Sequence, residues 1–312
     1  MKLALGAFAA LLATGLSSGA MAQRTPVSMA TATPGGGFPL FGDAAAAVIN
    51  ETDPTLQIET KNTQGSGENI GLLEAAKFDI ALVAGEPAYE AFSGIGRAPS
   101  KLLIIAAIYS NPGMFAVKGD SPANSVRDLV GKPIAWGTRA SGITLLGRYV
   151  VDGLGLDRDK DFVPHYLDTA GDGPVMVADG RVAALWGAGI GWPGFTAITK
   201  AGGRFIGLTA DEVAKITAKH NFLKAITVPA GAYVGQKDAV NSVGSWSYIL
   251  ARTDLPDDVA YRLAKALHKG NDTFIKRLAQ ARETLPANTR LAAPNPAQIH
   301  PGVQKYLREI GL

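Results

Sequence analysis

Apolar and polar positions in the first hundred residues repeat the order strand, turn, helix. Residues 56–61 alternate between apolar and polar side chains, which is the period of a half-buried β-strand. Gly65 and Gly67 then free the backbone for a tight turn. The spacing of the apolar residues that follow predicts a helix beginning at this turn; they are Ile70, Leu72, Leu73 and Ala76.

The turn at residues 65–69 has the features of an anion-binding turn. The N–H groups at a helix start have no partner within the helix, and the helix dipole places its positive end there. Such a turn suits a carboxylate, with Gly65, Ser66, Glu68 and Asn69 as candidate ligand-binding residues. The alternative is an ordinary strand-to-helix turn with a Ser or Asn cap.

Three further turns repeat this arrangement along the chain. Leu40 stands where a dinucleotide-binding fingerprint would need a third Gly or Ala, so we predict no such cofactor at the first of them. The three turns add these candidate ligand-binding residues: Gly36, Gly37 and Phe38; Thr138, Arg139, Ser141, Gly142 and Thr144; and Asp172.

Nearly continuous apolar runs indicate the fold class. Residues 79–84 and 102–108 have the pattern of strands buried on both faces of a parallel sheet, so the class is α/β. A turn at residues 110–113 is expected to begin a second unit, and the strand at 243–251 to return to the first. We therefore predict two lobes, each a mostly parallel sheet flanked by helices: lobe 1 spans residues 23–110 and 242–312, and lobe 2 spans 111–241.

The predicted ligand cleft lies between these lobes. Open α/β sheets bind ligands at the carboxyl ends of their strands, so two units that face each other bring the four turns around one cleft. Two chain crossings between the lobes form a natural hinge.

The amino terminus has the pattern of a secretory signal peptide. Lys2 precedes an apolar run at residues 3–16, and the small-residue site at residues 20–22 predicts cleavage after Ala22. The alternative is a membrane anchor, but the apolar run is shorter than the roughly 18 to 20 residues that a span requires. We predict an exported, periplasmic protein.

Composition limits the possible chemistry. The 312 residues include 30 Lys and Arg against 27 Asp and Glu, with no basic run, which argues against nucleic acid as a partner. The absence of cysteine excludes disulfides, thiol catalysis and Cys-based metal sites. The four histidines are scattered without metal-ligand spacing, so we predict no metal and no cofactor.

Short motifs run in a fixed order along nearly all of the chain after residue 22. They are Gly35-Gly36-Gly37 with Pro39, Gly65-Ser66 with Glu68-Asn69, residues 78–83, Asp128-Leu129 with Gly131-Lys132, Ser141-Gly142 with Thr144, Pro229-Ala230-Gly231 with Tyr233, and His300-Pro301-Gly302 through Tyr306, Glu309 and Gly311. In order and spacing they resemble the TAXI family of extracytoplasmic solute-binding receptors, which belong with TRAP transporters.

The resemblance implies a type II periplasmic-binding-protein fold and a receptor rather than an enzyme. It also implies a small solute of the amino-acid or dicarboxylate class, handed to a TRAP-type membrane permease. From the two-lobed organisation we expect a monomer that closes on its ligand. Two alternatives are a receptor that feeds a signalling partner and a periplasmic enzyme with Glu86 or Asp172 as base.

Arg139 and the tryptophans each have two interpretations. A guanidinium at Arg139 could clasp a solute carboxylate, or it could point outward to solvent, since its charge opposes the helix dipole. Trp136 and Trp186 on strands are expected to pack in the core. Trp192 follows Gly191 on a turn and is the better cleft candidate.

Overall fold

A computed structural model describes residues 24–312 of the chain. The predicted signal peptide at residues 1–22 and its cleavage site after Ala22 lie outside the described residues. No α-helix between residues 24 and 312 combines the length and apolar character that crossing a bilayer requires.

Strands and helices alternate through most of the described chain, which confirms the predicted α/β class. Residues 56–61 form a strand whose side chains alternate between buried and exposed, and the apolar run near residue 80 is fully buried, as each pattern predicts. The strands are β1 (Thr25–Ala30), β2 (Leu56–Lys61), β3 (Ile80–Val83), β4 (Leu103–Val117), β5 (Pro133–Ala135), β6 (Val163–His165), β7 (Ala184–Ala188), β8 (Arg204–Ile206), β9 (Lys224–Val228) and β10 (Val240–Ala251).

The α-helices of residues 24–312 lie between and after these strands. Their bounds are α1 (Gly37–Thr52), α2 (Ser66–Glu74), α3 (Gly85–Ser93), α4 (Gly142–Gly153), α5 (Asp172–Ala178), α6 (Pro193–Lys200), α7 (Ala210–Lys219), α8 (Asp257–Lys269), α9 (Asn271–Arg277), α10 (Pro286–Ala292) and α11 (Pro301–Glu309). The predicted Ser125-x-x-Asp128 start is present as a capping box, but it opens a short 3-10 helix, Val126–Leu129, and not an α-helix.

β4 and β10 connect the two parts of the sheet. The strand order is β2-β1-β3-β10-β4-β7-β5-β6, with β8 on β4 and β9 on β10. Up to Pro112, β4 pairs with β10, and from Gly113 onward it pairs with β7 and β8. We refer to the elements on the β1–β3 side as the first lobe and to those around β5–β8 as the second.

The prediction of a turn at residues 110–113 is wrong. These residues lie inside β4, which runs without interruption for 15 residues. Pro112 cannot donate to the ladder, but its carbonyl oxygen accepts a hydrogen bond from the Gly189 N–H at 3.1 Å. Ser110, Asn111 and Pro112 are partners of β10 in the ladder.

Each lobe has its own buried core. In the first lobe, α1, α8 and α11 cover one face of the sheet, with Phe41 and Phe274 fully buried beneath them. In the second lobe, Trp136 and Trp186 pack around Phe115. Burying such large aromatic side chains stabilises each lobe separately.

The lobes touch each other at several points, including the Ala170 N–H, which donates to Thr33 Oγ1 at 3.3 Å. Tyr89 of α3 stacks on Phe222 with ring centres 4.0 Å apart, and Arg148 of α4 forms an ion pair with Glu90 of α3 at 2.6 Å. The Gly67 N–H donates across the junction to the Ala140 carbonyl oxygen at 3.0 Å. These contacts hold the lobes in a closed arrangement.

Candidate functional site

A cavity lies between the lobes, at the carboxyl ends of β1, β3, β5 and β7. In this closed arrangement the space open to the centre of a water molecule is about 60 Å³, so the cavity is small. Nine of the fifteen candidate residues named from the sequence line it: Gly36, Gly37, Phe38, Gly65, Ser66, Thr138, Ser141, Gly142 and Trp192.

Three helix starts face this cavity, from α1, α2 and α4. No side chain caps the N-terminus of α1 or of α2, although the Gly67 N–H of α2 already donates to the Ala140 carbonyl oxygen at 3.0 Å. Ser141 does cap α4, and its Oγ accepts from the Ile143 N–H at 3.2 Å. The positive ends of three helix dipoles therefore meet at one site.

Two glycines permit the close approach of α2 and α4. Gly65 has φ +112°, a conformation that other residues rarely adopt. A Cβ on Gly142 would fall 2.3 Å from the Ala84 Cβ and 3.1 Å from the Ser66 Oγ, so no larger residue fits in the closed arrangement. Ser66 Oγ accepts from the Ala84 N–H at 3.0 Å, which leaves its own proton to donate.

Aromatic side chains form much of the remaining wall. They come from both lobes: Phe38 and Tyr109 from the first, Trp186 and Trp192 from the second. Burial raises the pKa of the Tyr109 hydroxyl, which stays protonated and able to donate. The Trp186 Nε1–H donates to the Ile143 carbonyl oxygen at 2.8 Å, whereas Trp192 Nε1 is buried without a hydrogen-bond partner among the described residues.

The cavity has no charged side chain in its lining, as far as residues 24–312 are concerned. Its polar side chains are hydroxyls and amides, including Thr33, Gln64 and Asn111. An anion can be held there by N–H groups, hydroxyls and helix dipoles without a formal countercharge.

Three of the candidates outside the lining support the turns instead. Asn69 is buried and donates from Nδ2 to the carbonyl oxygens of Thr31 and Leu82, at 2.7 and 2.8 Å. Glu68 accepts from the Gln64 N–H at 2.6 Å. Thr144 donates to the Thr138 carbonyl oxygen at 2.7 Å.

The two carboxylates required by the enzyme hypothesis are also outside the lining. Glu86 is 1% exposed and accepts from the Ser245 Oγ of β10 at 2.6 Å. Burial raises the pKa of Glu86 to about 7; the Ser245 hydrogen bond opposes this shift and the negative charge of Glu90 adds to it. Asp172 accepts from the Thr169 N–H at 2.9 Å.

Arg139 is exposed and lies in a neighbouring groove. Its guanidinium carbon is 4.0 Å from the ring centre of Tyr166, a cation–π contact. Arg158 lies on the same ring at 5.4 Å. Of the two interpretations of Arg139, the structure therefore agrees with the outward one, since the guanidinium lies against Tyr166 and not in the cavity.

Sequence reasoning missed several lining residues. Tyr109 directly follows the apolar run at residues 102–108, and a polar tip at the end of a buried strand is the signal that could have found it. Asn111 was missed because residues 110–113 were predicted to form a turn and not part of a strand. Trp186 packs in the core as predicted and also lines the cavity. The remaining additions are Ala32, Thr33, Gln64, Ala84, Gly137, Ile143, Ala170 and Ala188.

The described residues contain no cluster of side chains that could bind a metal ion. There, no three His, Asp or Glu side chains lie close enough to hold a metal ion. Trp136, predicted to pack in the core, is fully buried in the core of the second lobe.

Solved structures with the same architecture identify the class of fold. MatC from Rhodopseudomonas palustris, solved with bound malate, is 13% identical with a TM-score of 0.60, over 91% of this chain and 97% of that one. The periplasmic binding protein BugD is 16% identical with a TM-score of 0.57, over 91% and 94%. The periplasmic aliphatic sulphonate binding protein SsuA from Escherichia coli is 16% identical with a TM-score of 0.52, over 92% and 84%.

Two α/β lobes around a cavity, joined by long strands, therefore define a periplasmic-binding-protein fold. The family model that matches covers residues 29–311, nearly the whole of the described chain. The chain belongs to the NMT1-like family.

Proposed function

We propose that the protein is a periplasmic receptor that captures a small carboxylate-bearing solute and delivers it to a membrane transporter. The observation that carries the proposal is the cavity between the lobes, which three helix starts face and no charged side chain of residues 24–312 lines. The periplasmic-binding-protein fold and the NMT1-like family support it. Export by the signal peptide at residues 1–22 is part of this proposal.

The receptor closes on its solute by movement of lobe 1, residues 23–110 and 242–312, against lobe 2, residues 111–241. The change of pairing partner at Pro112–Gly113 in β4 supports a hinge there. We infer that the receptor acts as a monomer, because both lobes and the whole lining of the cavity come from one chain.

The partner is proposed to be a TRAP-type permease, as the resemblance to TAXI receptors implies. Uptake of the solute by vesicles that contain such a permease, dependent on added receptor, tests this assignment. A receptor that feeds a signalling partner has the same cavity but confers no uptake. The enzyme hypothesis is disfavoured because Glu86 and Asp172 do not line the cavity.

A thermal-shift screen of organic acids and amino acids tests solute capture. A solute at a hundred times its Kd stabilises the folded chain by about 2.7 kcal/mol. For the solute found, calorimetry on Ser66→Ala and Ser141→Ala should show about tenfold or greater weakening if these turns hold the charged group. The exposed Ser93→Ala is the matched control. Wild-type affinity in both cavity variants removes the proposed site.

A further inference from the structure

The strand β2 ends the sheet on the side of the first lobe, so one of its two edges has no neighbouring strand among the described residues. The other edge pairs in parallel with β1. An open strand edge presents N–H and C=O groups with which another chain can pair, and this leads to edge-to-edge association. At the other end of the sheet, β6 has only 3 residues and contains Pro164, and both features limit such pairing. β2 has 6 residues and no proline.

The hydrogen bonds with β1 show which backbone groups of β2 point to the open edge. The carbonyl oxygens of Thr55 and Lys61, just before β2 and at its end, accept from N–H groups on the β1 side at 2.8 and 2.9 Å. Successive residues of a strand direct their N–H and C=O groups to opposite sides, so the odd-numbered residues of β2 bond to β1. The backbone groups of Leu56, Ile58 and Thr60 therefore point outward, and we call this row the β2 edge.

Asn50, in the last turn of α1, occupies the centre of the β2 edge. Its Oδ1 accepts from the Ile58 N–H at 2.7 Å, and its Nδ2 donates to the Ile58 carbonyl oxygen at 3.1 Å. The orientation of the amide is fixed, since its oxygen must face the N–H and its nitrogen the C=O. One side chain thus makes the two hydrogen bonds that a neighbouring strand would make to Ile58.

The flanking positions of the β2 edge are also partly occupied. The Leu56 N–H donates to the Asp53 carbonyl oxygen at 3.0 Å. The Thr60 hydroxyl donates to the Asp43 carboxylate of α1 at 2.6 Å. Asp43 and Asn50 are seven residues apart, which places them on one face of the helix. Two polar side chains of α1 therefore contact the β2 edge.

The presence of asparagine at position 50 is explained by β2 better than by α1. Asparagine is a weaker helix former than alanine or leucine, and the preceding residues of α1, Val48 and Ile49, are apolar and buried. An apolar residue at position 50 would stabilise the helix more. Only an amide can bond to both backbone groups of Ile58.

We propose that Asn50 prevents this protein from associating through its sheet, because its side-chain amide occupies the place of a strand from a second copy of the chain. The excluded contact is β2 against β2 about a twofold axis, in which each copy supplies the hydrogen-bond partners of the other. This inference goes beyond the proposed function, since it concerns association of the receptor with itself and does not involve the solute.

Two substitutions remove the amide from the β2 edge. Asn50→Ala deletes both hydrogen bonds, and Asn50→Leu deletes them while keeping the branching at Cγ and adding a stronger helix former. Analytical ultracentrifugation of a chain that begins at residue 23, over a range of protein concentrations, should detect a dimer of each variant. Its dissociation constant should be at least about 100-fold lower than that of wild type, since each copy gains two unpaired backbone groups.

Asn288→Ala is the matched control and should behave as wild type. Asn288 is also a half-buried asparagine on a helix, α10, and its Nδ2 donates to a backbone carbonyl oxygen, that of Glu283, at 2.8 Å. This hydrogen bond does not involve β2.

A second substitution shows whether the dimer forms at the β2 edge. Thr60→Pro removes an outward N–H that does not bond to β1, and a proline on an open edge prevents pairing. Asn50→Leu combined with Thr60→Pro should therefore be a monomer. Hydrogen exchange of the Ile58 N–H tests the same point without a second substitution, because it should be fast in the dilute single variant and slow in the dimer.

Three outcomes overturn the proposal. The first is that Asn50→Ala and Asn50→Leu fold and remain monomers at every protein concentration. The second is a dimer that persists with Thr60→Pro and in which the Ile58 N–H exchanges as fast as in the monomer. The third is that neither single variant folds in urea titrations, which would give Asn50 a structural role alone.

Discussion

The carboxyl group of Glu86 makes the stability of this protein depend on pH. Its pKa is raised from 4.5 to about 7 because it is buried, with the Ser245 hydroxyl as its hydrogen-bond donor. Between these two values the folded protein keeps the proton that the unfolded chain has released. The contribution of Glu86 to stability therefore falls as pH rises from about 4.5 to about 7, and its loss is complete above pH 7.

The magnitude follows from the size of the pKa shift. One pKa unit corresponds to 1.36 kcal/mol, so ionising Glu86 in its buried site costs about 3 kcal/mol. Little of this cost is screened by solvent, because the side chain is 1% exposed. Glu86→Gln removes the charge at every pH and keeps an oxygen to accept from the Ser245 hydroxyl.

Urea unfolding of a chain that begins at residue 23, at several pH values between 4.5 and 8, measures this effect. The stability of Glu86→Gln relative to wild type should rise by about 3 kcal/mol across that range. Glu59→Gln, at an exposed carboxylate, should leave the pH dependence of wild type unchanged. If the free energies of unfolding of wild type and Glu86→Gln change with pH in parallel, Glu86 does not have a raised pKa.

Three further predictions concern residues at or beside the cavity. Arg139→Ala should bind the solute with an affinity within about twofold of wild type by calorimetry, because the guanidinium packs on Tyr166 outside the lining. A tenfold loss of affinity would instead support the interpretation in which Arg139 binds the solute carboxylate. Asn69→Ala should destabilise the protein by about 2 to 3 kcal/mol in urea, since the Thr31 and Leu82 carbonyl oxygens each lose a hydrogen bond; an unchanged midpoint would contradict this structural role. Gly142→Ala should hold the lobes apart, so its radius of gyration by small-angle scattering at saturating solute should exceed that of wild type. Gly71→Ala is the control, because a Cβ there meets open space and the lobes should close normally. Equal radii for the two variants would show that closure does not need Gly142.

The α/β class and most of the strand-turn-helix units were predictable from periodicity. Local patterns also located the three turns at residues 36–38, 65–66 and 141–142, which meet at one cavity. These turns were accessible because glycine content, small polar residues and the following apolar spacing are all properties of a few neighbouring residues.

Side-chain direction and long-range pairing were not predictable in the same way. Arg139 and Ser141 belong to one turn, yet one lies over Tyr166 and the other lines the cavity, a difference that depends on packing from residues far along the chain. Pro112 and Gly113 look like a turn locally. They remain in a strand because β10 and β7 supply ladder partners more than seventy residues away in sequence.

The position of β10 between β3 and β4 has a consequence for how the protein is assembled. Tyr248 must pair with both Val83 and Ala107, so the central ladder of the first lobe stays open until nearly the whole chain has been synthesised. Contacts of such long sequence separation form slowly. The second lobe, whose β5, β6 and β7 follow one another, can complete its own ladder earlier. Truncation before residue 240 therefore leaves β3 and β4 with unpaired edges, the kind of surface through which partly folded chains aggregate.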